Sequence, residues 1–158
     1  MFGFNHRGTN AYATVGIETG VVAANPHKLI LMLYEGAITA CHNALTHMQN
    51  NDIEAKGAAL SKATMIIESG LRISLDMKTG GAIARNLDDL YEYMSHRLLM
   101  ANLKNQPEFV SEVIKLLNEL KGAWESIANI PSPAAASIYA APEQLKTAEY
   151  YSPALAKA

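Results

Sequence analysis

Five histidines and one cysteine are among the side chains of this 158-residue chain that could ligate a metal or act as a base or nucleophile. Glu92 and His96 are four residues apart, which would place both on one helix face, but two ligands do not make a metal site. The paired Glu-x-x-His motifs that hold metals in helical bundles do not occur in the sequence. Cys41 and His42 are adjacent and would point about 100° apart on a helix, so they do not form a nucleophile–base pair.

Phosphate-binding and hydrolase motifs are equally missing, since the sequence contains no GxxxxGK, GxGxxG or GxSxG. Gly80-Gly81 is typical of a break between helices, and Asp88-Asp89 is typical of an exposed helix face. The sequence therefore predicts no catalytic, cofactor-binding or metal-binding residue, no cofactor and no enzymatic activity.

The composition limits the remaining classes of function. Thirteen Lys and Arg against fifteen Asp and Glu give a net charge of -2, which lacks the basic surface that nucleic-acid binding needs. A hydrophobic fraction of 49% with 18% charged residues is typical of a globular domain. No apolar run approaches the ~20 residues that span a bilayer, and the N-terminus lacks the apolar stretch of a signal peptide. Together with a single cysteine, this predicts a cytosolic protein with no nucleic-acid partner and no membrane insertion.

Helix start and stop signals divide the middle of the chain into four helices. Asn25-Pro26 and Gln106-Pro107 each place a proline at a first helical position, and Asp52 is an N-cap residue. The predicted helices have similar lengths and short connections, which predicts an all-α, antiparallel up-down-up-down four-helix bundle over residues 26–128. Their ranges are about 26–48, 52–75, 82–103 and 107–128.

Each predicted helix has an apolar seam with steps of three and four residues, which supplies the bundle core. In the fourth helix the seam runs from Val110 to Ile127, and in the third it runs from Ile83 to Ala101. More large apolar residues remain than these seams use. Such a surplus either widens the core or forms a face for a partner, and the sequence leaves both interpretations open.

The two ends of the chain differ from the bundle. Residues 1–25 are predicted to form a partly ordered apolar strap. Residues 129–158 contain four of the six prolines, many alanines and few charges, which predicts a flexible Ala/Pro-rich C-terminal tail.

Four blocks of the sequence resemble one family, the cytoplasmic secretion chaperones of bacterial flagellin, known as FliS. The resemblance covers about residues 10–128 in order and with the family's spacing. The blocks are Ala11-Tyr12-Ala13 with residues 24–37 (ANPHKLILMLYEGA), residues 74–87 (SLDMKTGGAIARNL) with 90–94 (LYEYM), residues 97–105 (RLLMANLKN), and residues 116–120 (LLNEL) with Ala123-Trp124.

The resemblance implies a helical bundle that binds the C-terminal region of flagellin, which is disordered when free and becomes partly helical on binding. Binding would prevent premature polymerisation and assist delivery to the export gate of the flagellar type III secretion apparatus. A regulator of flagellar gene expression, known as a partner of some members, is a further candidate partner. The resemblance also implies that the N-terminal segment covers part of the client surface, with Tyr12 as its contact.

Residues outside the seams are the predicted partner contacts, because they form the outer arcs of the helices. They are Tyr12, Leu31, Tyr34, Ile38, Ile66, Ile73, Leu75, Tyr91 and Leu103. An alternative from another class is a structural bundle that uses the same apolar surplus to associate with itself and has no client. A membrane-surface bundle is disfavoured, since the apolar arcs lack Lys/Arg-rich flanks.

Overall fold

The computed structural model describes residues 25–128 and 137–140 of the chain. The chain divides into two compact units, one formed by residues 1–30 with 141–158 and the other by residues 31–140. Residues 25–30 are the described part of the first unit and begin the first helix, whereas the second unit contains the bundle core. Apart from Asn25, the predicted strap over residues 1–25 lies outside the described residues.

Four helices make up the described structure, which confirms the predicted all-α four-helix bundle. They are α1 (Pro26–Gln49), α2 (Ile53–Ile66, continued by a π-helical turn over Ile67–Arg72), α3 (Gly81–Lys104) and α4 (Pro107–Ala128).

Local capping accounts for the short connections between these helices. The Asp52 side chain accepts a hydrogen bond from the Ala55 backbone N–H at 3.1 Å, which satisfies one free donor at the start of α2. Asn51 and Asn105 have left-handed backbone conformations with φ of 55° and 52°, a region that asparagine tolerates at helix ends. Pro107 then begins α4 two residues after Asn105, so the chain reverses direction within a few residues.

Side-chain contacts show that neighbouring helices run antiparallel. A Cβ on Gly70 would lie 2.9 Å from Leu33 Cδ2, and one on Gly36 would lie 3.4 Å from Ile66 Cδ1, so glycines let α1 approach α2 closely. These pairs run in opposite sequence order along the two helices. Glu35 on α1 also forms an ion pair with a lysine on α4, Lys121, at 3.2 Å.

The central contact surface joins α3 to both of its neighbours. At one end of the α2–α3 pair, Arg72 Nε donates to Asp88 Oδ1 at 2.7 Å. At the other end, Lys56 Nζ donates to the Asn102 carbonyl oxygen at 3.3 Å. Between α3 and α4, Arg97 forms an ion pair with a glutamate on α4 and lies over the Phe109 ring, with Cζ 3.7 Å from the ring centroid.

The core follows the predicted seams in most places. Its fully buried members on the predicted seams are Ala37, Cys41, Ala44, Ala63, Ile67, Leu71, Met94, Leu98, Ala101, Val110, Val113 and Leu117. The seam differs at the beginnings of α2 and α3, where Ile53 and Ile83 are 74% and 55% exposed. Ala84 and Tyr91 are buried instead, so the first half of α3 is one residue out of phase with the prediction, whereas the second half follows it.

The second helix ends earlier than the predicted position near 75. Its last turn is π-helical, and regular hydrogen bonding stops at Arg72. Beyond Arg72, backbone groups form hydrogen bonds with residues 138 and 140 instead of within the helix. The Asp76 N–H donates to the Ile138 carbonyl at 2.9 Å, and the Ser74 carbonyl accepts from the Ala140 N–H at 2.8 Å. A helix continued to residue 75 would compete for these groups.

Of the predicted C-terminal tail, the structure describes Ser137–Ala140, here named the tail segment. Ile138 and Tyr139 are both buried, and Tyr139 pairs with Leu75 in an antiparallel bridge. The Tyr139 ring also meets the Trp124 ring edge-on, with centroids 5.1 Å apart. Main-chain and aromatic contacts hold these four residues against the bundle, and the flexibility of the tail stays a prediction. The rest of the predicted tail lies outside the described residues.

Candidate partner-binding site

A groove of about 670 Å³ lies between α2 and α3. Leu60 and Leu98 line it and are buried, whereas Met65 and Leu99 line it and are 58% and 54% exposed. Large apolar side chains that remain this exposed within a concave surface lose contact with water only when another molecule covers them. The groove is therefore a place where a partner would gain apolar contact area.

Polar residues border the apolar part of the groove at the end near the π-helical turn. Glu68 and Glu92 line it there, and both form ion pairs with Arg72, at 3.1 Å and 3.6 Å. Ser95 donates a hydrogen bond to Glu68 at 2.6 Å. The hydrogen bond with Asp88 raises the pKa of Arg72, followed by the contribution of Glu68, so the guanidinium stays charged. This network fixes the π-helical turn against α3 and sets one end of the groove.

A smaller cavity of about 220 Å³ adjoins the opposite end, and Asn102 lines both spaces. Lys56 lies in this cavity, is 5% exposed, and donates to Asn105 Oδ1 at 3.4 Å as well as to the Asn102 carbonyl. Ile53 and Leu103, which are 74% and 70% exposed, also line this cavity. The exposed apolar surface thus continues from the groove toward the connections at this end of the bundle.

A buried tyrosine cluster lies elsewhere in the bundle. The hydroxyl of Tyr91 lies 2.5 Å from those of both Tyr34 and Tyr139, and the hydroxyls of Tyr34 and Tyr139 are 3.2 Å apart. Burial raises the pKa of all three phenols, because ionisation would place a charge away from water. Each of the three hydroxyls is hydrogen-bonded inside the fold, so the three tyrosines can be buried next to one another without an unsatisfied polar atom.

The structure separates the predicted partner contacts into three groups. Ile73 and Leu103 are exposed, at 69% and 70%, and Leu103 lines the smaller cavity next to the groove. The intermediate group, partly exposed, consists of Leu31, Ile38 and Ile66. Tyr12 lies outside the described residues. No observation tests whether these residues contact a partner, so that role stays a prediction.

Three predicted contacts are not on an outer arc, and their placement is corrected. Tyr34, Leu75 and Tyr91 are buried, with exposed fractions of 2%, 8% and 0%. The two tyrosines satisfy each other's hydroxyls, and the tail segment lies against Leu75. Seam spacing alone did not identify them as core residues because part of their burial comes from residues 137–140, far away in the sequence.

Two groove residues, Met65 and Leu99, are not among the predicted contacts although they lie outside the predicted seams. A usable signal was present, since Leu99 and Leu103 are four residues apart and share one face of α3. The tail residue Tyr139 had no such signal, because an isolated aromatic in a proline-rich segment shows no periodicity.

Among residues 25–128 and 137–140, no three histidine, cysteine, aspartate or glutamate side chains are grouped to hold a metal ion. Cys41 is buried in the core, and burial raises the pKa of its thiol to about 12, so the nucleophilic thiolate is not populated near neutral pH. None of the helices in the described part of the chain is both long and apolar enough to cross a bilayer.

A helical bundle with an apolar groove on its surface is the type of protein that holds an amphipathic segment of another protein. The comparisons with known proteins agree with this class. The family model described as flagellar protein FliS matches residues 8–131. The chain belongs to the FliS family.

Curated relatives cover most of the chain. The flagellar secretion chaperone FliS of Salmonella typhimurium is 48% identical over 120 residues, which are 76% of this chain and 89% of the relative. The flagellar secretion chaperone FliS of Escherichia coli is 43% identical over 126 residues, 80% of this chain and 93% of the relative. That of Bacillus subtilis is 30% identical over 108 residues, 68% of this chain and 79% of the relative. These relationships support an export-chaperone role for this chain in flagellum biogenesis.

Proposed function

We propose that this protein binds the C-terminal region of newly made flagellin in the cytosol and prevents its premature polymerisation. The complex then passes to the export gate of the flagellar type III secretion apparatus. The observation that carries the proposal is the exposed apolar groove between α2 and α3 in a member of the FliS family. The protein acts by binding, without catalysis and without a cofactor.

The groove has the dimensions of a helix-binding site. Its lining runs over residues 60–69 of α2 and 92–102 of α3. At 1.5 Å per residue this is about 15 Å, the length of roughly three helical turns. A client helix with apolar residues at i, i+3, i+4 and i+7 would lay one face against Met65 and Leu99.

Burial of the exposed groove residues would offset the entropy that the client loses on folding. Complete burial of one Leu or Met side chain contributes about 1.5–3 kcal/mol, whereas ordering one backbone residue costs about 1–2 kcal/mol. One short helix in the groove is therefore insufficient for tight binding. The client must extend to further apolar surface, for which the exposed Leu103 and Ile53 are the adjoining candidates.

The chaperone–client complex is the form that we propose for recognition by the export gate component. A regulator of flagellar gene expression is a further proposed partner, and it would compete with flagellin if it used the same groove. Nucleic acid and membrane are not proposed as partners, given the net charge of -2.

Calorimetric titration of the full-length protein with the C-terminal segment of its own flagellin tests the proposal. We expect one-to-one binding, a negative heat-capacity change, and a gain of helix by circular dichroism. Absence of binding by folded protein would overturn the proposal.

Two substitutions on α3 locate the binding surface. Leu99 and Ile83 are exposed to nearly the same extent, 54% and 55%, but only Leu99 lines the groove. Leu99→Glu should weaken client binding by about tenfold or more, because a carboxylate would be buried without a partner under the client. Ile83→Glu, the matched control, should leave the dissociation constant unchanged. Equal losses in both variants would exclude the groove as the specific site.

A self-associating bundle without a client is the second candidate function. It is favoured by exposed apolar residues outside the groove, namely Ile73, Met77 and Ile83. Light scattering across a concentration series separates the two. A stable oligomer that rejects flagellin supports self-association, whereas a species that binds flagellin one-to-one supports the chaperone.

A further inference from the structure

The tail segment lies in a slot that has the features of a peptide-binding site. The Asp76 N–H and Ser74 carbonyl supply two main-chain hydrogen bonds, to Ile138 and from Ala140, at 2.9 Å and 2.8 Å. The Thr79 hydroxyl adds a third, to the Ser137 carbonyl at 3.2 Å. Main-chain bonds of this kind hold any extended segment regardless of its sequence, which is how strand addition provides affinity.

Side-chain selectivity in the slot comes from one aromatic position. The Tyr139 hydroxyl lies 2.5 Å from the Tyr91 hydroxyl and 3.2 Å from that of Tyr34, while the Tyr139 ring contacts the edge of Trp124. A slot with main-chain bonds and one aromatic-lined position accepts an extended peptide with a large apolar or aromatic residue. In the chain's own tail, Tyr139 supplies that residue, in an antiparallel bridge that follows a turn at residues 137–138.

The tail segment leaves part of the neighbouring apolar surface uncovered. Its bridge covers Leu75, which is 8% exposed, but two neighbours in sequence, Ile73 and Met77, remain 69% and 42% exposed. A partner segment that paired with Leu75 and continued further would cover these side chains as well. It would thereby make contacts that the four described tail residues do not make.

We propose that this slot is a second client-binding site and that the tail segment is its intramolecular competitor. The occupant that replaces it is an extended stretch of the same flagellin client, with a large apolar residue at the position of Tyr139. This inference rests on the proposed function. The family match ends at residue 131, so the tail segment lies beyond the part of the chain that the family model describes.

Tethering makes the competitor effective although it is short. Only residues 129–136 separate it from the end of α4, so its local concentration at the slot is of millimolar order or above. The client must displace it, and its apparent affinity falls in proportion to the fraction of molecules with an open slot. Release of the tail segment from the slot should therefore tighten client binding. If the tail segment instead supported the client site, its release would weaken client binding.

Two variants open the slot by different means. Ala140→Pro removes the N–H that donates to the Ser74 carbonyl, and Tyr139→Ala removes the side chain that joins the tyrosine cluster. The control, Ala156→Pro, adds a proline near the end of the same tail. In calorimetric titration with the flagellin C-terminal segment, both variants should bind about tenfold tighter or more than the wild-type chain and the control.

Amide hydrogen exchange of the wild-type protein gives a readout that does not depend on a variant. On client binding, the Ala140 amide should lose protection because it is released from Ser74. The Asp76 amide should stay protected because a client carbonyl replaces that of Ile138. Unchanged protection of Ala140 at saturating client would overturn the proposal. If circular dichroism shows that either variant has lost its helical structure, this measurement on the wild-type protein is the deciding test.

The outcomes separate this proposal from the one on which it rests. Folded variants that bind with wild-type or weaker affinity overturn the competitor role, while the client proposal stands. No binding by the wild-type chain, the control or the variants overturns the client proposal itself. Tighter binding by both slot variants, with loss of protection at Ala140 in the wild-type chain, supports the second site.

Discussion

The side chains of Tyr34, Tyr91 and Tyr139 form a hydrogen-bonded cluster in the interior of the bundle. Each hydroxyl lies within hydrogen-bonding distance of the other two, although the residues come from α1, α3 and the tail segment. A cluster of this kind joins three parts of the chain through hydrogen bonds between buried side chains. Its contribution to stability depends on every hydroxyl keeping a partner.

Removing the central hydroxyl tests this cluster. Tyr91→Phe should lower the free energy of unfolding by about 1 kcal/mol, since the remaining hydroxyls of Tyr34 and Tyr139 still lie 3.2 Å apart and can satisfy each other. Urea denaturation followed by circular dichroism measures the change. Tyr93→Phe, on the same helix, is the control: its hydroxyl also donates a hydrogen bond, to Glu112, but the residue is 43% exposed, so the loss of stability should be smaller than in Tyr91→Phe. A larger loss in the control would contradict this assignment.

The carboxylate of Asp76 should make the stability of the fold depend on pH. Its Oδ1 accepts hydrogen bonds from the Thr79 N–H at 3.0 Å and the Lys78 N–H at 3.2 Å, and the interactions with Thr79 are the main cause that lowers its pKa. A lowered carboxyl pKa stabilises the fold above the unfolded value of about 3.9, and this stabilisation disappears as pH falls through the folded value.

Asp76→Asn should therefore reduce the loss of stability between about pH 5 and pH 2. Urea midpoints measured across this range test the effect against Asp89→Asn, an exposed carboxylate on α3 outside the turn. Because the Asp76 N–H also donates to Ile138, the wild-type tail segment should loosen over the same range. Identical pH profiles for the wild-type chain and Asp76→Asn would refute the role of this carboxylate.

At the scale of elements, glycine positions decide where helices end and how closely they approach. Gly80 precedes α3, and a Cβ there would lie 2.6 Å from the Asp76 carbonyl oxygen, a backbone atom with little freedom to move. Gly81 has a φ of +58°, which a residue with a side chain adopts only with strain. The turn between the π-helical end of α2 and the start of α3 therefore requires both glycines.

Two glycine-to-alanine changes should have opposite signs. Gly80→Ala should destabilise the protein by about 1–3 kcal/mol, because the added methyl collides with the Asp76 carbonyl. Gly122→Ala, inside α4 with open space around its Cβ, should stabilise it by about 0.5–1 kcal/mol through a lower entropy cost of helix formation. Thermal and urea unfolding measure both. The same sign in both variants would mean that the contacts at Gly80 do not limit the turn.

At the scale of the whole molecule, the bundle is completed by a short segment that follows its last helix and contacts residues 48 to 105 positions earlier in the sequence. Burial of Ile138 and Tyr139, together with the hydrogen bonds of the tail segment to Ser74 and Asp76, should stabilise the bundle. A chain that ends at residue 136 should thus be less stable than one that ends at Ala140. The emission of Trp124, the single tryptophan, should shift to longer wavelength when Tyr139 is absent. Equal stability of the two truncations would contradict this account.

The sequence by itself determined the helices and their order. Capping residues such as Asp52 and Pro107 act locally, and apolar spacing of three and four follows from helix geometry, so both can be identified without tertiary information. For the same reason the all-α bundle was predicted correctly, and the fully buried part of α4 follows its predicted seam. Family resemblance carried by the ordered blocks between residues 11 and 124 supplied the functional class.

Tertiary structure alone decided which apolar residues are exposed. The predicted phase of α3 placed Ile83 inside and Tyr91 outside, but the structure reverses them because the hydroxyls of Tyr34 and Tyr139 meet Tyr91 in the interior. The groove at Met65 and Leu99 arises where α2 and α3 leave space between them, a property of two helices together. The slot of the tail segment depends on contacts across more than 60 residues of sequence, and periodicity within one element contains no information about such contacts.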